Sequence, residues 1–495
     1  MIFISFIVFL FALFPLTDTD IWWHLACARD HAVSGKDSLM WTLSREPWIN
    51  VHEYFQQVVY RVFEFGGAPL LVVFKALLWG SVFALFLFPF RKELRSIPKY
   101  RLLLAVILLF IFRYFFEIRP IVFSLVFLGI FWNLFFILSQ MELKKKKNFL
   151  KWIGLLFALG LIQFTWSKTQ GLFILGPILA FVFLFIRFKQ RLYHTRFSPS
   201  NRFLFVFSLL LLIPLLHQER LLLWLYPFNL FDRLIGLSPS ATLFASEIIE
   251  NRSSIVLFFN QEKMLVSGIS FLLSLSCLCY GIISIWKNLI RSTMNFKEEI
   301  LSFWLVLTAI LALIAERNMV LLLPVFITLL LSHRTMNYEK TFEKLKQMPL
   351  ILGLLFFFVF GFWVRSLLPY DKSMVSSNRV PVQAVEWMKS NPHAGKLFND
   401  DRMGGYLAWR NPSEATYIDG RFMLKTASFF ETYLSYAKKP ETFLLDTKKE
   451  GIDRAVFPLQ YYARWNSLIE ILLKNKEWKL VYRDTNYVVF DRIDY

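Results

Sequence analysis

The sequence predicts a mostly α-helical, polytopic membrane protein: a bundle of about eleven transmembrane helices, followed by an extramembrane α/β domain. Hydrophobic residues make up 56% of the 495 residues, and the mean hydropathy is +0.48. A soluble protein of this size cannot bury so much apolar surface. Many apolar runs approach the roughly 20 residues that a helix needs to cross a bilayer, whereas charges become frequent after residue 368.

The apolar runs define the predicted spans. They lie near residues 1–17, 68–90, 102–117, 120–140, 150–166, 171–188, 202–217, 264–286, 300–315, 318–333 and 349–368. The first run lacks a basic n-region and a small-x-small cleavage site, so we interpret it as a retained first helix and not as a signal peptide. Cys27, Cys277 and Cys279 lie in or beside apolar segments without metal-ligand spacing, which favours free, buried thiols.

The net charge of +19 is concentrated in alternate linkers, such as "RKELRSIPKYR" and "ELKKKKNFLK". This alternation follows the positive-inside tendency and argues against a nucleic-acid partner. It predicts a cytoplasmic N-terminus, and the opposite side is the periplasm if the membrane is a bacterial inner membrane. The less basic segments, loops 18–67 and 218–263 and the tail, are then periplasmic. The predicted domains are a transmembrane part, 1–368, and a periplasmic α/β part, 369–495.

Within the tail, alternating patterns predict several elements. Helices are expected at "PVQAVEWMKSN" and "ASFFETYLSYAKK", strands at "GKLFND" and "ATYIDG", and a hairpin in "WKLVYRDTNYVVFDR" with its turn at 484–486. Gly404 and Gly405 are expected to permit a tight turn.

The densest polar and aromatic cluster, "DTDIWWH", begins directly after the first span. Asp18 and Asp20 point to the same side of an extended chain, whereas a helix starting at Asp20 places His24 one turn further on the same face. Such an acidic pair can bind a divalent cation (Mg²⁺ or Mn²⁺), or supply a general base beside an orienting carboxylate. The alternative is an Asp18-capped interfacial helix with Trp22 and Trp23 in the headgroup belt.

Other ionisable residues lie in the segments assigned to the same side of the membrane. Charged groups at membrane depth usually face a bundle interior or a water-filled cavity. Glu117 with Arg119, and Glu316 with Arg317, could instead serve only as internal pairs. We expect a shared cavity that binds an anionic, lipid-linked substrate. Its members are expected to be His52, Glu53, Glu117, Arg119, Lys168, Glu316 and Arg317.

Several motifs together resemble a family. "DTDIWWHLACARDH…VHEYF" is similar to the D-x-D-x-W-W-H-L…H-E-W pattern of bacterial polytopic proteins in the C-type (GT-C) glycosyltransferase superfamily. "IRPIVFS", "FTWSKTQGLFILG" and "ERNMVLLLP" resemble three of their further segments. "FNDDRMGGYLAWRNPSEATYIDGR" resembles their N-D…G-G-Y-L…D-G-R block. The chain departs from the pattern at Lys168 and Gln170, where the family shows Asn and His, and at "HEY".

This resemblance implies a GT-C-like fold and a membrane enzyme that transfers a sugar from a polyprenyl-phosphate donor to an envelope glycan, lipid or protein. An acidic residue of the first outer loop would be the base or a metal ligand. In this chain that residue would be Asp18 or Asp20, and His24, His52 and Glu53 lie in the same loop as further catalytic candidates. Arg119 and Arg317 would contact the donor phosphate, and Lys168 and Glu316 are further candidates for substrate binding. Asn399, Asp419 and Arg421 are candidates for acceptor binding; alternatively, Asp419-Gly420-Arg421 simply ends a strand.

Two non-enzymatic functions are the alternatives: a transporter, or a scaffold, for lipid-linked envelope polysaccharide. A transporter typically has paired ionisable residues at the bilayer midplane and internal repeats, and the sequence shows neither. Eleven spans exceed what an anchor for a scaffold needs. The sequence therefore favours the transferase.

Overall fold

The computed structural model describes residues 1–32, 34, 39–42, 49–141, 146–193, 200–235, 242–244, 247, 251–259, 265–291, 295–332, 348–367 and 372–493. Much of the predicted outer loop 218–263 and of the basic linkers near 142–145, 194–199 and 333–347 lies outside the described residues.

The chain divides into two compact units. The helical unit comprises Met1–Phe14 and Val73–Pro369, and the mixed unit comprises Pro15–Val72 and Tyr370–Tyr495. The first outer loop therefore groups with the C-terminal residues, whereas the sequence analysis placed it in the transmembrane part. The assignment of residues 1–368 to the membrane and 369–495 to the periplasm stays a prediction.

The helical unit contains a helix for each predicted apolar run. Its α-helices are Ile2–Ala12, the latter part of Glu53–Leu87, Lys99–Ile111, Pro120–Gln140, Lys146–Ser167, Leu175–Tyr193, Ser200–Leu212, Arg220–Ile235, Ser254–Phe259, Leu265–Arg291, Phe296–Ile314, Met319–Ser332 and Met348–Leu367. Short 3₁₀ turns are Phe88–Phe90, Glu93–Ser96, Arg113–Phe115, Gly171–Ile174, Ile213–Leu216 and Glu316–Asn318.

Fewer of the described helices are long and apolar enough to cross a membrane than the sequence analysis predicts. In the described part of the chain, 5 helices are long and apolar enough to span a bilayer, or 6 if one bent pair counts as a single span. That pair, Arg202–Leu216 and Arg220–Asn229, is bent by 114°. The second helix of the pair lies in what the sequence analysis treated as an outer loop, because the polar "HQER" resembles the start of one. The figure of about eleven spans is not confirmed.

The mixed unit is built on a four-stranded sheet with the strands β1 Lys396–Asn399, β2 Ile452–Pro458, β3 Trp478–Arg483 and β4 Tyr487–Arg492. Their order in the sheet is β1-β2-β4-β3. β1 and β2 are parallel, whereas β4 pairs antiparallel with both β2 and β3. The α-helices are Asp20–Arg29, the start of Glu53–Leu87, Val382–Ser390, Asp401–Arg410, Ala427–Lys438, Pro440–Glu450 and Asn466–Lys474, with 3₁₀ turns at Phe422–Leu424 and Ala463–Trp465.

Most tail elements match the predictions. The helices at 382–390 and 427–438, the strand β1 and the closing hairpin are confirmed. The Asp484 carboxylate shapes the hairpin turn, since its Oδ1 accepts the N–H groups of Asn486 and Tyr487, both at 2.7 Å. The strand predicted at "ATYIDG" is wrong: Thr416 forms only an isolated bridge with Met40. This segment meets the first loop instead of joining the sheet.

Candidate active site

The acids of the first loop lie at the start of a helix, Asp20–Arg29, which we call the first-loop helix. The Asp18 carboxylate is buried, and its Oδ1 accepts the Asp20 N–H at 3.3 Å. An acid at this position also interacts favourably with the positive end of the helix dipole. Because the helix begins at Asp20, His24 follows one turn later on the same face. Asp18 therefore holds the backbone of Asp20, and Asp20 remains partly accessible.

A second helix, Asp401–Arg410, packs against the first-loop helix; we call it the glycine helix. A Cβ on Gly405 would lie 2.8 Å from the Trp23 N atom and 3.1 Å from the Trp23 Cβ atom. Only glycine permits so close an approach between the two backbones. The prediction of a tight turn at Gly404 and Gly405 is wrong, because both lie inside this helix.

The D-G-R segment contacts the first loop through its glycine. A Cβ on Gly420 would lie 2.2 Å from Asp20 Oδ1 and 3.3 Å from Trp23 Nε1. The Asp20 carboxylate therefore occupies the space that a side chain at position 420 would need. Two motifs that are 400 residues apart in the sequence thus meet at Asp20 in the mixed unit.

The neighbours of Gly420 form a buried ion pair. Arg421 Nη2 donates to Asp419 Oδ2 at 2.6 Å, and Arg421 Nε lies 3.1 Å from both carboxylate oxygens. The guanidinium also lies 5.5 Å from the Trp23 ring centre and 3.9 Å from Cys27 Sγ. The pair thus fixes the D-G-R segment against the first-loop helix. Acceptor binding by Asp419 or Arg421 stays a prediction.

Asn399 is fully buried at the end of β1. Its Nδ2 donates to the Asp400 and Ile418 carbonyl oxygens at 2.9 and 2.7 Å, and its Oδ1 accepts the Tyr417 N–H at 2.8 Å. Both amide protons are therefore used inside the protein. These bonds hold the "ATYIDG" segment beside β1 without a strand. A role for Asn399 in acceptor binding stays a prediction that this geometry does not support.

His24 is buried among aromatic rings. Its ring centre lies 3.5 Å from that of Trp23, 5.3 Å from that of His52 and 4.8 Å from that of Phe55. Burial, followed by the charges of His52 and Arg421, lowers the pKa of His24 well below the usual 6.5. His24 is therefore neutral at physiological pH, where one ring nitrogen can accept a proton or hydrogen bond and the other can donate.

His52 and Glu53 follow in the same loop, where Glu53 opens the helix Glu53–Leu87. The Asn50 and Gln56 side chains join this helix start, with the Asn50 Nδ2 donating to Gln56 Oε1 at 2.7 Å. Gln56 Nε2 in turn lies 3.5 Å from His24 Nδ1. The mixed unit therefore brings His52 and His24 together; their catalytic roles, and that of Glu53, stay predictions.

The tryptophans of "DIWWH" are part of this core. Trp22 and Trp23 are 1% and 7% exposed, and their Nε1 atoms are buried without a hydrogen-bond partner. The Trp22 ring meets the edge of Tyr406, in the glycine helix, at 4.8 Å between ring centres. A position in the headgroup belt is therefore wrong for both rings, because they pack inside the mixed unit.

Asp18 and Asp20 were predicted to hold a metal ion, which needs further ligands beside them. Within the described ranges, no group of three His, Cys, Asp or Glu side chains could hold a metal ion. Asp18 Oδ1 interacts with a backbone N–H, and Asp20 Oδ1 packs against Gly420. The donor set of these residues alone does not fit a divalent cation, so we derive no catalytic step through one.

The remaining predicted site residues lie in the helical unit. Glu117 is paired with Lys75, which the sequence analysis missed: Lys75 Nζ lies 3.8 Å from Glu117 Oε2 and donates to the Phe14 carbonyl at 2.9 Å. The sequence could have indicated this pair, because a single lysine inside an apolar run needs a partner when it is buried in a membrane span. Arg119 comes directly before Pro120, which begins the next helix.

The other charged candidates of the helical unit also have partners. Lys168 Nζ lies 2.6 Å from Glu219 Oε1, and both side chains are largely buried. Glu316 Oε2 accepts a hydrogen bond from Ser267 Oγ at 3.1 Å, and Arg317 follows in the same 3₁₀ turn. Substrate binding by Arg119, Lys168, Glu316 and Arg317 stays a prediction.

Two of the family-like segments also meet in the helical unit. Ser124, from "IRPIVFS", accepts a hydrogen bond from Trp166 Nε1 at 2.7 Å and donates to Gln170 Oε1 at 3.0 Å. Trp166 and Gln170 both belong to "FTWSKTQG". Gln170, at which the chain departs from the family pattern, therefore has a structural contact of its own.

The fold is similar to that of the oligosaccharyltransferase AglB from the archaeon Archaeoglobus fulgidus, a GT-C superfamily member. The structure of AglB with an inhibitory peptide and a dolichol-phosphate matches with a TM-score of 0.55 and 11% identity, over 92% of this chain and 68% of AglB. The structure with a tethered acceptor peptide containing the NVT sequon matches with a TM-score of 0.54 and 11% identity. The match covers 99% of this chain and 74% of the enzyme.

A third structure of that enzyme, in complex with Zn and sulfate, matches with a TM-score of 0.53 and 12% identity, over 92% of this chain and 67% of the enzyme. No protein-family model and no curated protein sequence matches the chain. At these identities the likeness shows the fold alone.

Proposed function

We propose that the protein is an integral membrane glycosyltransferase that transfers a sugar from a polyprenyl-phosphate-linked donor to an envelope acceptor on the outer face of the membrane. The contact between Asp20 and Gly420 supports the proposal most strongly, because the partly accessible Asp20 carboxylate lies against the D-G-R segment and the Asp20 backbone N–H donates to Asp18. The GT-C-like fold supports it, as does the dolichol-phosphate bound to AglB.

The chemistry requires a base and a leaving group. An acceptor hydroxyl attacks the anomeric carbon, its proton passes to the carboxylate, and the bond from that carbon to the phosphate oxygen breaks. The polyprenyl phosphate leaves with the electron pair. Asp20 fits the role of the base, since it is more accessible than Asp18. Asp18 is then a positioning residue that fixes the backbone of Asp20.

The test is sugar transfer by purified protein in lipid nanodiscs, with a panel of radiolabelled polyprenyl-phosphate sugars and an envelope-lipid extract as acceptor. Asp20→Asn is expected to reduce turnover at least about 100-fold, the usual contribution of a general base. Asp18→Asn is expected to cause a smaller loss. Asp30→Asn is the matched control, because Asp30 is an exposed acid just after the same helix, paired with Arg29.

Retained folding is checked by the melting temperature of each variant. Equal turnover in wild type and Asp20→Asn would overturn Asp20 as the base. Absence of transfer from every donor, with the wild-type protein folded, would overturn the enzyme and favour the transporter or scaffold.

A further inference from the structure

We infer that Arg379 and Arg402, stacked on Tyr461 and Tyr462, form a phosphate-binding ledge beside the first-loop acids. The inference rests on the proposed function, since it names the residues of the mixed unit that receive the phosphate of the substrate. Arg402 lies in the "FNDDRMGGYLAWRNPSEATYIDGR" block but was not singled out as a site residue, and Arg379, Tyr461 and Tyr462 lie outside every motif that the sequence analysis quotes.

Backbone pairing brings the ledge to the acids. Leu16 N–H donates to the Met374 carbonyl at 2.9 Å, and Ser376 N–H donates to the Leu16 carbonyl at 3.2 Å. Arg379 Nε then donates to the carbonyl of Thr17 at 3.3 Å. The guanidinium of Arg379 is therefore hydrogen-bonded to the residue that directly precedes Asp18.

The two arginines share one aromatic platform. The guanidinium carbon of Arg379 lies 3.9 Å from the ring centre of Tyr461, and that of Arg402 lies 3.4 Å from Tyr462 and 5.9 Å from Tyr461. Stacking of a guanidinium on a ring holds its plane while its N–H groups remain at the edge. Tyr461 is 37% exposed, so the platform is accessible to solvent.

Arg402 is a cation without an ion pair among the described residues, although two acids precede it directly. The Asp401 carboxylate accepts from Tyr433 Oη at 2.7 Å and pairs with Arg464 at 3.0 Å. The Asp400 carboxylate accepts from Trp465 Nε1 at 2.7 Å and from the backbone N–H of Arg402 at 3.0 Å. Neither carboxylate therefore forms an ion pair with the Arg402 guanidinium.

A planar, donor-rich fork with a net positive charge matches the oxygens of a phosphate group. The proposed reaction also demands such a group here. When the acceptor oxygen attacks the anomeric carbon, the phosphate oxygen leaves from the same carbon, so a cation close to the base stabilises the developing negative charge. The ledge supplies that cation from the same unit that holds Asp18 and Asp20.

The experiment measures binding without turnover, by wild-type protein in phosphatidylcholine nanodiscs titrated with polyprenyl phosphate. Arg402→Gln and Arg379→Gln are each expected to weaken binding about tenfold, as expected for loss of a charge-assisted contact. Arg402→Lys retains the charge and is expected to recover part of the affinity. Arg410→Gln is the control, because Arg410 lies on the same helix but pairs with Glu386 at 2.5 Å.

Inorganic phosphate and glucuronate serve as competitors that identify the ligand. Competition by phosphate, lost in Arg402→Gln, supports a ledge that recognises the phosphate group itself. Competition by glucuronate alone would overturn the proposal in favour of an acidic sugar. Equal affinity of Arg402→Gln and Arg410→Gln for polyprenyl phosphate would also overturn it.

Failure of the proposed function has a different signature. If no donor turns over but Arg402→Gln still binds polyprenyl phosphate more weakly than wild type, the phosphate-binding ledge is supported and the glycosyltransferase function is overturned. If Asp20 is required for turnover but phosphate affinity is the same in all arginine variants, the transferase stands and the ledge does not.

Discussion

At the scale of single residues, Asp20 and Gly420 define each other's positions. Gly420→Ala places a methyl carbon 2.2 Å from the wild-type position of Asp20 Oδ1. The carboxylate is the end of a side chain, so it can move aside and the fold is expected to survive. We predict at least about a tenfold loss of transfer, since the base is displaced, with little change in melting temperature. Wild-type turnover in folded Gly420→Ala would contradict the position of Asp20 in the mechanism.

His24 makes stability depend on pH. Its pKa in the folded protein lies below the usual 6.5, so the unfolded chain binds the proton more readily. The contribution of neutral His24 to the free energy of unfolding is therefore complete above pH 6.5. It decreases as the pH falls below 6.5, by up to about 1.4 kcal/mol per pH unit. We predict that the melting temperature of wild type falls more between pH 7 and pH 5.5 than that of His24→Gln.

Two acids titrate in the same range with the opposite sign. Burial raises the pKa of Asp400 to about 6 and that of Glu414 to about 7, so their protonation on lowering the pH favours the folded state. Both acids are present in wild type and in His24→Gln. Their effects on the melting temperature therefore cancel when the pH dependence of the two proteins is compared. An identical pH dependence in the two proteins would contradict a buried, neutral His24.

The residues of the site differ in how far the sequence alone identifies them. Asp18, Asp20 and His24 stand out because polar groups directly after an apolar span need a reason. Arg379 does not stand out, because its place beside Thr17 depends on pairing between segments more than 350 residues apart. Asn399 and Asp419 form internal hydrogen bonds, and the sequence does not reveal them because a polar pattern does not show what a side chain contacts.

At the scale of elements, the contact between the first-loop helix and the glycine helix depends on Gly405. Gly405→Ala puts a Cβ 2.8 Å from the Trp23 N atom, and backbone cannot move as a side chain can. We predict a destabilisation of about 1–3 kcal/mol, typical of overpacking, measured as a lower melting temperature.

Gly154→Ala is the control for this prediction. Gly154 lies inside the helix Lys146–Ser167, and a Cβ there meets no atom within 4 Å. Alanine favours helix over glycine by about 1 kcal/mol, so this variant is expected to be as stable as wild type or more so. Equal effects of the two substitutions would contradict a close approach at Gly405.

Element prediction succeeded where one local pattern decides the structure. The hairpin at 484–486 has its turn residues beside it, and each apolar run forms a helix. The strand at "ATYIDG" failed because its partner is the first loop, not the sheet. The helix Arg220–Ile235 was not predicted, because the polar residues "HQER" at its start led us to assign the whole segment to an outer loop.

At the scale of the whole molecule, the chain passes between its two units at Phe14, Val72 and Pro369. The charge alternation of the linkers predicts a periplasmic C-terminus. Alkaline phosphatase fused after Tyr495 is therefore expected to be active, and the same enzyme fused after Met141, at a basic linker, inactive. Activity from the Met141 fusion and none from the Tyr495 fusion would reverse the predicted orientation.

In the proposed mechanism, the mixed unit binds the phosphate end of a lipid-linked donor beside Asp18 and Asp20. Photo-crosslinking with a polyprenyl phosphate that carries a diazirine next to its phosphate tests this most directly, with peptide mapping of the product. We predict labelled peptides from residues 15–72 and 370–495, and loss of label when unmodified polyprenyl phosphate competes. Label confined to the helical unit, or label that no competitor removes, would contradict the account.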